Sequence, residues 1–261
     1  MQNGRYWEDL ARRVSEAPAP TLWRRYCDIL NAAWLQRWLP STAARRVLKT
    51  DLFDEALDEG LYPQLETRAE SVMGLDLSPS IVAAARSRHP ALAAAACDAR
   101  RLAFQAESLD VIVSNSTLDH LNTTQEILHS LREFHRVLRP GGWLLLSLDN
   151  LANPIVWLRN SLPISWLIRL GAVPYRMGAT LGPAEARRFL RLAGFEVHQV
   201  EAFMHCPRLP AVVLGRGLKR IGGRRAEQLL LTWMLRFEGL CRWPTRFLTG
   251  YFIVVRARKP S

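Results

Sequence analysis

From residue 46 the chain alternates short apolar runs with amphipathic stretches. RVLKTDL (46–52), SVMGLDL (71–77) and LDVIVSNS (109–116) are apolar runs closing in small or acidic residues, as buried parallel strands do. SPSIVAAARSRH has Ser78 placed as an N-cap and Pro79 at the first helical position. LAAAACDA (92–99) leans towards helix by alanine propensity, but its place before a turn argues for a strand. TTQEILHSLREFHRVL (123–138) sets Ile127, Leu128, Leu131, Phe134 and Leu138 on one side of a helix. RPGG is expected to stop that helix, and WLLLSLDN (143–150) reads as the next buried strand. Such alternation predicts an α/β fold, a parallel sheet with helices on both faces.

The flanks follow other patterns. Residues 4–39 read as two helices broken at APAP, the second capped by Thr21. Trp23, Tyr26, Leu30, Ala33, Trp34 and Trp38 recur there at spacings of three and four, an aromatic stripe expected to pack on the main domain, with a substrate lid as the alternative. After Asn150, LANPIVWLRNSLPISWLIRLGAVPY is apolar and Trp-rich, broken by Pro163 and two arginines. GPAEARRFLRLAG reads as a short helix, FEVHQVEAFM as a strand, 209–247 as basic, aromatic helix and YFIVVRARK as a last strand. With no internal repeat and no low-complexity linker, one domain over 1–261 is expected: N-terminal helices to 45, a core over 46–150, cap segments over 151–249 with a strand near 195–204, and a final strand from 250.

Charge widens the set of partners without choosing one. Arg and Lys outnumber Asp and Glu by 35 to 24, a formal net charge of +11, which invites an anionic partner. Only three of these cations are lysines, and an Arg- and Ala-rich composition accounts for the excess equally well. Four scattered cysteines form no CxxC and the histidines show no HxxxH, so no metal is expected and reduced thiols in the cytoplasm are the default. The N-terminus has no apolar signal-peptide core, and no run reaches the ~20 apolar residues of a membrane span.

Ligands of open parallel sheets bind beyond the carboxyl ends of the strands. Thr50 and Asp51, Asp76, Asp98, Ser114 to Ser116, and Asp149 with Asn150 fall at those ends. A single Asp is weak evidence, since turns are rich in it; their joint spacing is more specific. GLDLSPSIVAAAR (74–86), CDARRLAF (97–104), SLDVIVSNSTLDHL (108–121) and LREFHRVLRPGGWLLLS (131–147) together resemble the class I S-adenosylmethionine-dependent methyltransferases, of the group that methylates small molecules and lipids. The resemblance implies a Rossmann-like, seven-stranded, mostly parallel sheet with an antiparallel last strand, which YFIVVRARK matches. It implies S-adenosyl-L-methionine as cofactor and S-adenosyl-L-homocysteine as product. Asp76, with Leu77 beside it, falls where the family binds ribose, and Asp98 with Ala99 where it binds adenine. Ser114, Asn115 and Ser116 fall at the methyl-transfer centre.

One stretch departs from the family. The first strand there ends in an acid followed by a glycine-rich loop. Lys49 stands in place of the acid, and Asp51, Phe53 and roughly Glu55 in place of the glycines. Glycine permits positive φ and close backbone approach, so this loop has to take another route, into a helix from about Asp54. Lys49 is expected to pair with the carboxylate of the cofactor. Asp51, Asp54 or Glu55 then takes its ammonium, Thr50 lines the edge, and Phe53 covers the ribose or sulfonium side.

The resulting expectation is methyl transfer to oxygen, nitrogen or carbon of a small, hydrophobic or amphiphilic acceptor. His120 is the candidate general base and Asp119 its orienter, where the acceptor needs one. The alternative is a catalytically silent subunit that keeps the fold and binds a partner. RNA methylation ranks last, since Ser114-Asn115-Ser116-Thr117 replaces the N/D-P-P-Y type of motif. The Trp- and Arg-rich additions at 151–175 and 209–247 are expected to cap the acceptor side of the pocket; peripheral contact with an anionic membrane on its inner, cytoplasmic face is the bolder version, and closure of the cap's own small core the alternative. Homo-oligomers remain compatible with the sequence.

Overall fold

The structure, a computed structural model, describes residue 8 and residues 21–163, 166, 169, 177–221 and 223–261. Seven strands form one sheet in the order β3-β2-β1-β4-β5-β7-β6. They are β1 (Ala44–Lys49), β2 (Ala69–Asp76), β3 (Ala93–Ala96), β4 (Leu109–Asn115), β5 (Leu138–Asp149), β6 (Glu196–Phe203) and β7 (Phe252–Arg258). The pairs from β3 to β5 are parallel, while β7 runs antiparallel to both β5 and β6. The run 92–99 is therefore a strand at its centre, against the helical preference of alanine, because β2 offers it a free edge.

Alternate residues of the central strands feed two cores, as the two-residue period of a strand requires. Val47, Val111, Val113 and Val254 face one side; Leu48, Ile112, Leu144 and Ile253 face the other. The first side is covered by α1 (Leu22–Trp38), two short helices α2 (Phe53–Leu57) and α3 (Tyr62–Glu66), and α4 (Pro79–Arg88). The second is covered by α5 (Thr124–Val137) and α7 (Pro183–Leu192), with α6 (Pro154–Ser161) between them in sequence. Helices α8 (Arg208–Ile221) and α9 (Gly223–Arg236), a 3-10 turn at Phe237–Arg242 and α10 (Arg246–Thr249) precede β7.

Local chemistry sets these boundaries. Thr123 and Glu126 form a reciprocal capping box at the start of α5. Ser78 caps α4 through the Ile81 N–H at 3.3 Å, with Pro79 at the first turn as expected. The helix ends just before the RPGG segment, as expected. The strand begins sooner than expected, because β5 starts at Leu138 and carries Arg139–Gly142 within it, at a shift of register against β4. Gly141 makes this passage possible: at φ +76° it donates to the Lys259 carbonyl at 2.9 Å, and its own carbonyl accepts from Arg258 Nε at 3.1 Å.

The first of the two N-terminal helices lies outside the described residues apart from Glu8, whose carboxylate accepts from Ser78 Oγ at 2.5 Å. The second helix is α1, capped by Thr21 as its sequence suggests. Its buried face is Leu22, Tyr26, Trp34, Leu35 and Trp38, while Ala33 faces solvent, so the stripe runs slightly off the expected line. This face joins the sheet core. Tyr26 ties it further: its hydroxyl donates to Glu238 and accepts the Cys206 N–H at 3.3 Å, while Glu238 also accepts the N–H groups of Met204 (3.1 Å) and His205 (2.8 Å). Burial, then the charge of Glu238, push the Tyr26 hydroxyl far above its ordinary range, so it stays a donor. Tyr26→Phe takes one donor from Glu238 and leaves the Cys206 N–H without its acceptor, and should lower the unfolding free energy by about 1–3 kcal/mol in urea titrations, with the sheet intact by circular dichroism.

Candidate functional site

The carboxyl ends of β1, β2 and β4 meet at one edge, and the loop after β1 is its centre. Lys49 closes β1 with its side chain only 2% exposed. Its Nζ lies 2.8 Å from Glu55 Oε2 and donates to the Asp51 carbonyl. Glu55 is wholly buried and its Oε1 accepts the Leu61 N–H at 2.8 Å. Gly60, at φ +58°, presses so closely that a Cβ there would sit 2.5 Å from Glu55 Oε1. Leu52, also wholly buried, packs on Gly74 of β2. Burial pulls the Lys49 pKa down, but Glu55, with Asp51 and Asp54, outweighs it and holds the ammonium charged.

Lys49 was expected to pair with the carboxylate of a cofactor. The structure gives it an internal partner, because a buried ammonium left unpaired is strongly destabilising. The loop is thus braced from inside by an ion pair and a leucine, without glycine flexibility. Helix α2 starts at Phe53, one residue before the expected position.

The acids near this loop sort themselves by partner. Asp54 pairs with Arg24 of α1 at 2.6 Å, and Arg24 also holds Asp28 at 2.9 Å. Glu55 is spent on Lys49. Asp51 has no ion-pair partner among the described residues; its Oδ1 accepts the Phe53 N–H at 2.9 Å. Burial, then the charge of Asp76, push its carboxyl well above the usual range, against the pull of Lys49. Asp76 ends β2, with Oδ1 accepting from the Ser78 N–H (2.9 Å) and Oδ2 from the Leu52 N–H (3.1 Å). Burial raises its pKa against those bonds. Each oxygen keeps acceptor capacity for a further hydroxyl. Leu77 and Phe53 beside it are half-buried.

Asp98 follows β3, and both its oxygens are taken by Arg100, with Nε at 3.0 Å from each and Nη2 at 2.6 Å from Oδ2. Burial pushes the Asp98 pKa up, but these bonds overcome it and hold the carboxyl below its ordinary value. Arg100 also reaches Glu126 of the α5 capping box. Arg100 and Glu126 were not foreseen; the Asp-x-Arg spacing was the available signal. Ala99 lies buried beside them.

At the end of β4, Ser114 and Asn115 are buried, and Ser114 Oγ has no hydrogen-bond partner among the described residues. Asn115 Oδ1 accepts from Ser147 Oγ at 2.7 Å. Ser116 stands at φ +50°, uncommon for a residue with a Cβ. Three bonds hold it there: its N–H reaches Ser147 O (3.3 Å) and Oγ (3.0 Å), and its hydroxyl donates to Asp119 Oδ2 at 2.9 Å. Backbone strain held in this way is typical of functional sites. Thr50 Oγ1 and Thr117 Oγ1, 2.9 Å apart, tie β1 to β4.

Asp119 and His120 lie in a 3-10 turn, Leu118–His120. Asp119 is buried and its Oδ2 also accepts the Asp149 N–H at 3.1 Å, so it joins the turn to β5, a task not evident from the sequence. Asp149 in turn pairs with Arg159 of α6 at 2.6 Å. Burial and then the Asp119 charge, against Arg159, push Asp149 up to about 6. His120 is half-buried. The Gly178 N–H reaches the Asp119 carbonyl at 2.9 Å and the Ala179 N–H the Leu121 carbonyl at 2.7 Å, which lays residues 177–180 beside this turn. They border a cleft of about 510 Å³, lined also by Leu151, Trp157, Asn160 and Asn122. Another groove, of about 480 Å³, is lined among the described residues by α7, including Arg187, Arg188 and Arg191, and holds none of these groups. Among the described residues no three His, Cys, Asp or Glu side chains are arranged to hold a metal ion.

The residues fit an adenosyl cofactor at its ribose end, where Asp76 retains acceptor capacity, and set the unpaired Asp51 beside it. At the adenine end the fit is shared, since Asp98 can contact a ligand only in company with Arg100.

The brace itself is open to measurement. Glu55→Ala leaves the Lys49 ammonium buried and alone, and should cost about 3–5 kcal/mol in urea unfolding. Lys49→Met combined with Glu55→Gln removes the charges together and keeps the acceptor for Leu61, so it should recover most of that loss. A double variant no more stable than Glu55→Ala would show that the pair does not brace the loop.

Comparison with known proteins agrees with this sheet topology. Residues 57–146 match the family described as Methyltransferase domain, a match that begins just after the glycine-poor loop. The chain is 36% identical over 147 residues to trans-aconitate 2-methyltransferase of Methylobacterium radiotolerans, covering 54% of this chain and 53% of that protein. It is 33% identical over 139 residues to probable tRNA methyltransferase 9B of Homo sapiens, covering 51% and 27%. The chain thus spans about half or less of these curated relatives. Among solved structures, N-methyltransferase NodS of Bradyrhizobium japonicum, in complex with S-adenosyl-L-homocysteine, superposes with a TM-score of 0.61 at 15% identity, over 98% of this chain and 100% of that one. The sheet order with its reversed β7, and the Methyltransferase domain match over residues 57–146, support a class I S-adenosylmethionine-dependent methyltransferase.

Proposed function

We propose that the protein transfers a methyl group from S-adenosyl-L-methionine to oxygen, nitrogen or carbon of a small, hydrophobic or amphiphilic acceptor. The observation that carries this is one sheet edge holding both Asp76, with acceptor capacity to spare, and the strained Ser116, about two strands away along the order β2-β1-β4. When bound, the cofactor supplies a methyl group already activated on a sulfonium, so alignment provides much of the rate.

The chain's own groups then divide the work. Asp76 accepts the ribose hydroxyls, and Asp51 faces the ammonium of the methionine moiety. Leu77 and Phe53 shield the ribose side, and Asp98 with Arg100 flanks the adenine. Ser114 to Ser116 form the floor below the transfer line. The cleft beside Trp157, Leu151 and Asn160 receives the acceptor, its mix of apolar and amide groups suiting an amphiphile. His120 takes the proton from acceptors that carry one. Asp119 holds the turn on which His120 sits, and so positions the base through the backbone. The proposed setting is the cytoplasm, within reach of the inner face of a membrane.

A catalytically silent subunit is the competing reading. It is favoured by the inward pairing of Lys49 with Glu55, Asp54 with Arg24 and Asp98 with Arg100. Calorimetric titration with S-adenosylhomocysteine, with mass spectrometry of the native protein for copurifying adenosyl compounds, separates the two. Binding is expected, and Asp76→Ala should weaken it at least about tenfold, because charge-assisted bonds are worth about 1.5–3 kcal/mol each. No binding by the wild type would establish the silent subunit. Unchanged affinity in Asp76→Ala would remove Asp76 from the ribose site.

A further inference from the structure

The reversal of β7 decides where the additions to the core lie. Asp149 at the end of β5, Phe252 at the start of β7 and Phe203 at the end of β6 are in register. The chain therefore leaves β5 towards α6, leaves β6 towards α8, and returns from α10 into β7, all at the edge that carries Asp76 and Ser116. The exits from β5 and β6 are about 10 Å apart, two strand spacings.

The helices at this edge bury one side and show an apolar side to solvent as well. Val156 of α6, Ala211 of α8, and Leu231 and Met234 of α9 are buried. Facing outwards are Trp157 of α6, Leu209 and Val213 of α8, and Leu229 of α9, between 56% and 73% exposed. Trp243, after the following 3-10 turn, is 61% exposed. A cap that merely closed its own core would not present these groups to water.

Charge on the same segment is one-sided. Residues 208–250 hold nine Arg and Lys against two acids, Glu227 and Glu238. Glu238 is turned inwards to Tyr26, Met204 and His205, and Glu227 faces Arg25 of α1 at 3.8 Å. Arg224, Arg225, Arg236 and Arg242 are exposed, with no ion-pair partner among the described residues. No helix of the described residues is long and apolar enough to cross a membrane. Separate Trp, Leu and Val side chains among uncompensated arginines match the boundary between headgroups and acyl chains of an anionic bilayer.

We propose that the outer sides of α6, α8 and α9 form a docking surface for an anionic lipid membrane. Their apolar side chains enter the interface, and Arg224, Arg225, Arg236 and Arg242 lie at phosphate level. The acceptor cleft, which includes Trp157, then opens towards the bilayer, so an amphiphilic acceptor reaches it without crossing water. That last step rests on the methyltransferase reading above; the docking itself does not.

Flotation with vesicles of phosphatidylcholine containing roughly a third phosphatidylglycerol, against phosphatidylcholine alone, tests the surface. The full-length protein should float with the anionic vesicles at about 0.1 M salt and be released several-fold at about 0.5 M, where screening is stronger. Leu209→Asp with Leu229→Asp, and separately Arg224→Glu with Arg225→Glu, should each cut binding at least about tenfold. Both pairs are exposed, so calorimetric affinity for S-adenosylhomocysteine should stay at the wild-type value. Absence of salt-sensitive flotation overturns the proposal, as does flotation unaffected by the leucine changes. A solution dimer that the same changes dissociate also overturns it, since a second copy would then cover the face. Flotation by a protein that binds no adenosyl compound leaves the docking surface standing and removes the methyltransferase reading. Adenosyl binding without flotation does the reverse.

Discussion

A lysine ammonium enclosed at the end of β1 needs a counter-charge, and the shape of the cofactor edge follows from how Glu55 provides one. To reach Lys49, Glu55 must lie in the first turn after β1, so the chain bends into α2 at once instead of making a wide glycine turn. Leu52 is drawn under the bend onto Gly74 of β2, which has no side chain to obstruct it. Leu61 and Gly60 close over Glu55 from the other side. The glycine-rich loop of the family obtains close backbone approach through freedom of φ. Here the loop gains its form from a buried pair, a rigid solution whose desolvation cost is offset by the hydrogen bonds around it.

The second constraint is topological. One reversed strand at the far end of the sheet turns the C-terminal additions back to the edge where the parallel strands end. Tyr26 and Glu238 then lock these additions to α1, so α1, α8 and α9 pack on the same face of the sheet. Helices without that anchor would have to bury their outer apolar residues. With it they can leave Leu209, Leu229 and Trp243 in solvent, because their inner sides already hold them in place.

Much of this was legible in the sequence because it depends on period and on local chemistry. The strand ends at Asp76 and Asn115, the caps at Thr21 and Ser78, and the final reversed strand all follow from short-range patterns. Partners brought together by tertiary packing were not legible. Lys49 and Glu55 are six residues apart, yet nothing in their spacing distinguishes an internal pair from two groups facing a ligand. Arg159 finds Asp149 only because α6 folds back over the end of β5, and Asp119 finds the Asp149 N–H only through the neighbouring strand. The RPGG segment ends the helix as its residues suggest, but its place inside β5 was hidden for a related reason. It depends on contacts of Gly141 with Arg258 and Lys259, more than a hundred positions away.

The same pairings fix the charge that the edge offers to a ligand. Lys49 is balanced by Glu55, Arg24 by Asp54, and Arg100 by Asp98. Asp51 and Asp76 are left, each made harder to ionise by burial, and Asp51 also by the charge of Asp76. A positive ligand group beside them would relieve that repulsion and favour ionisation, whereas a neutral one would not. For the proposed reaction this has a direction. The donor carries a sulfonium and an ammonium, while the product has lost the sulfonium charge. An edge whose remaining charge is negative therefore holds the donor more strongly than the spent product, and the difference is greatest where Asp51 is ionised in the bound state.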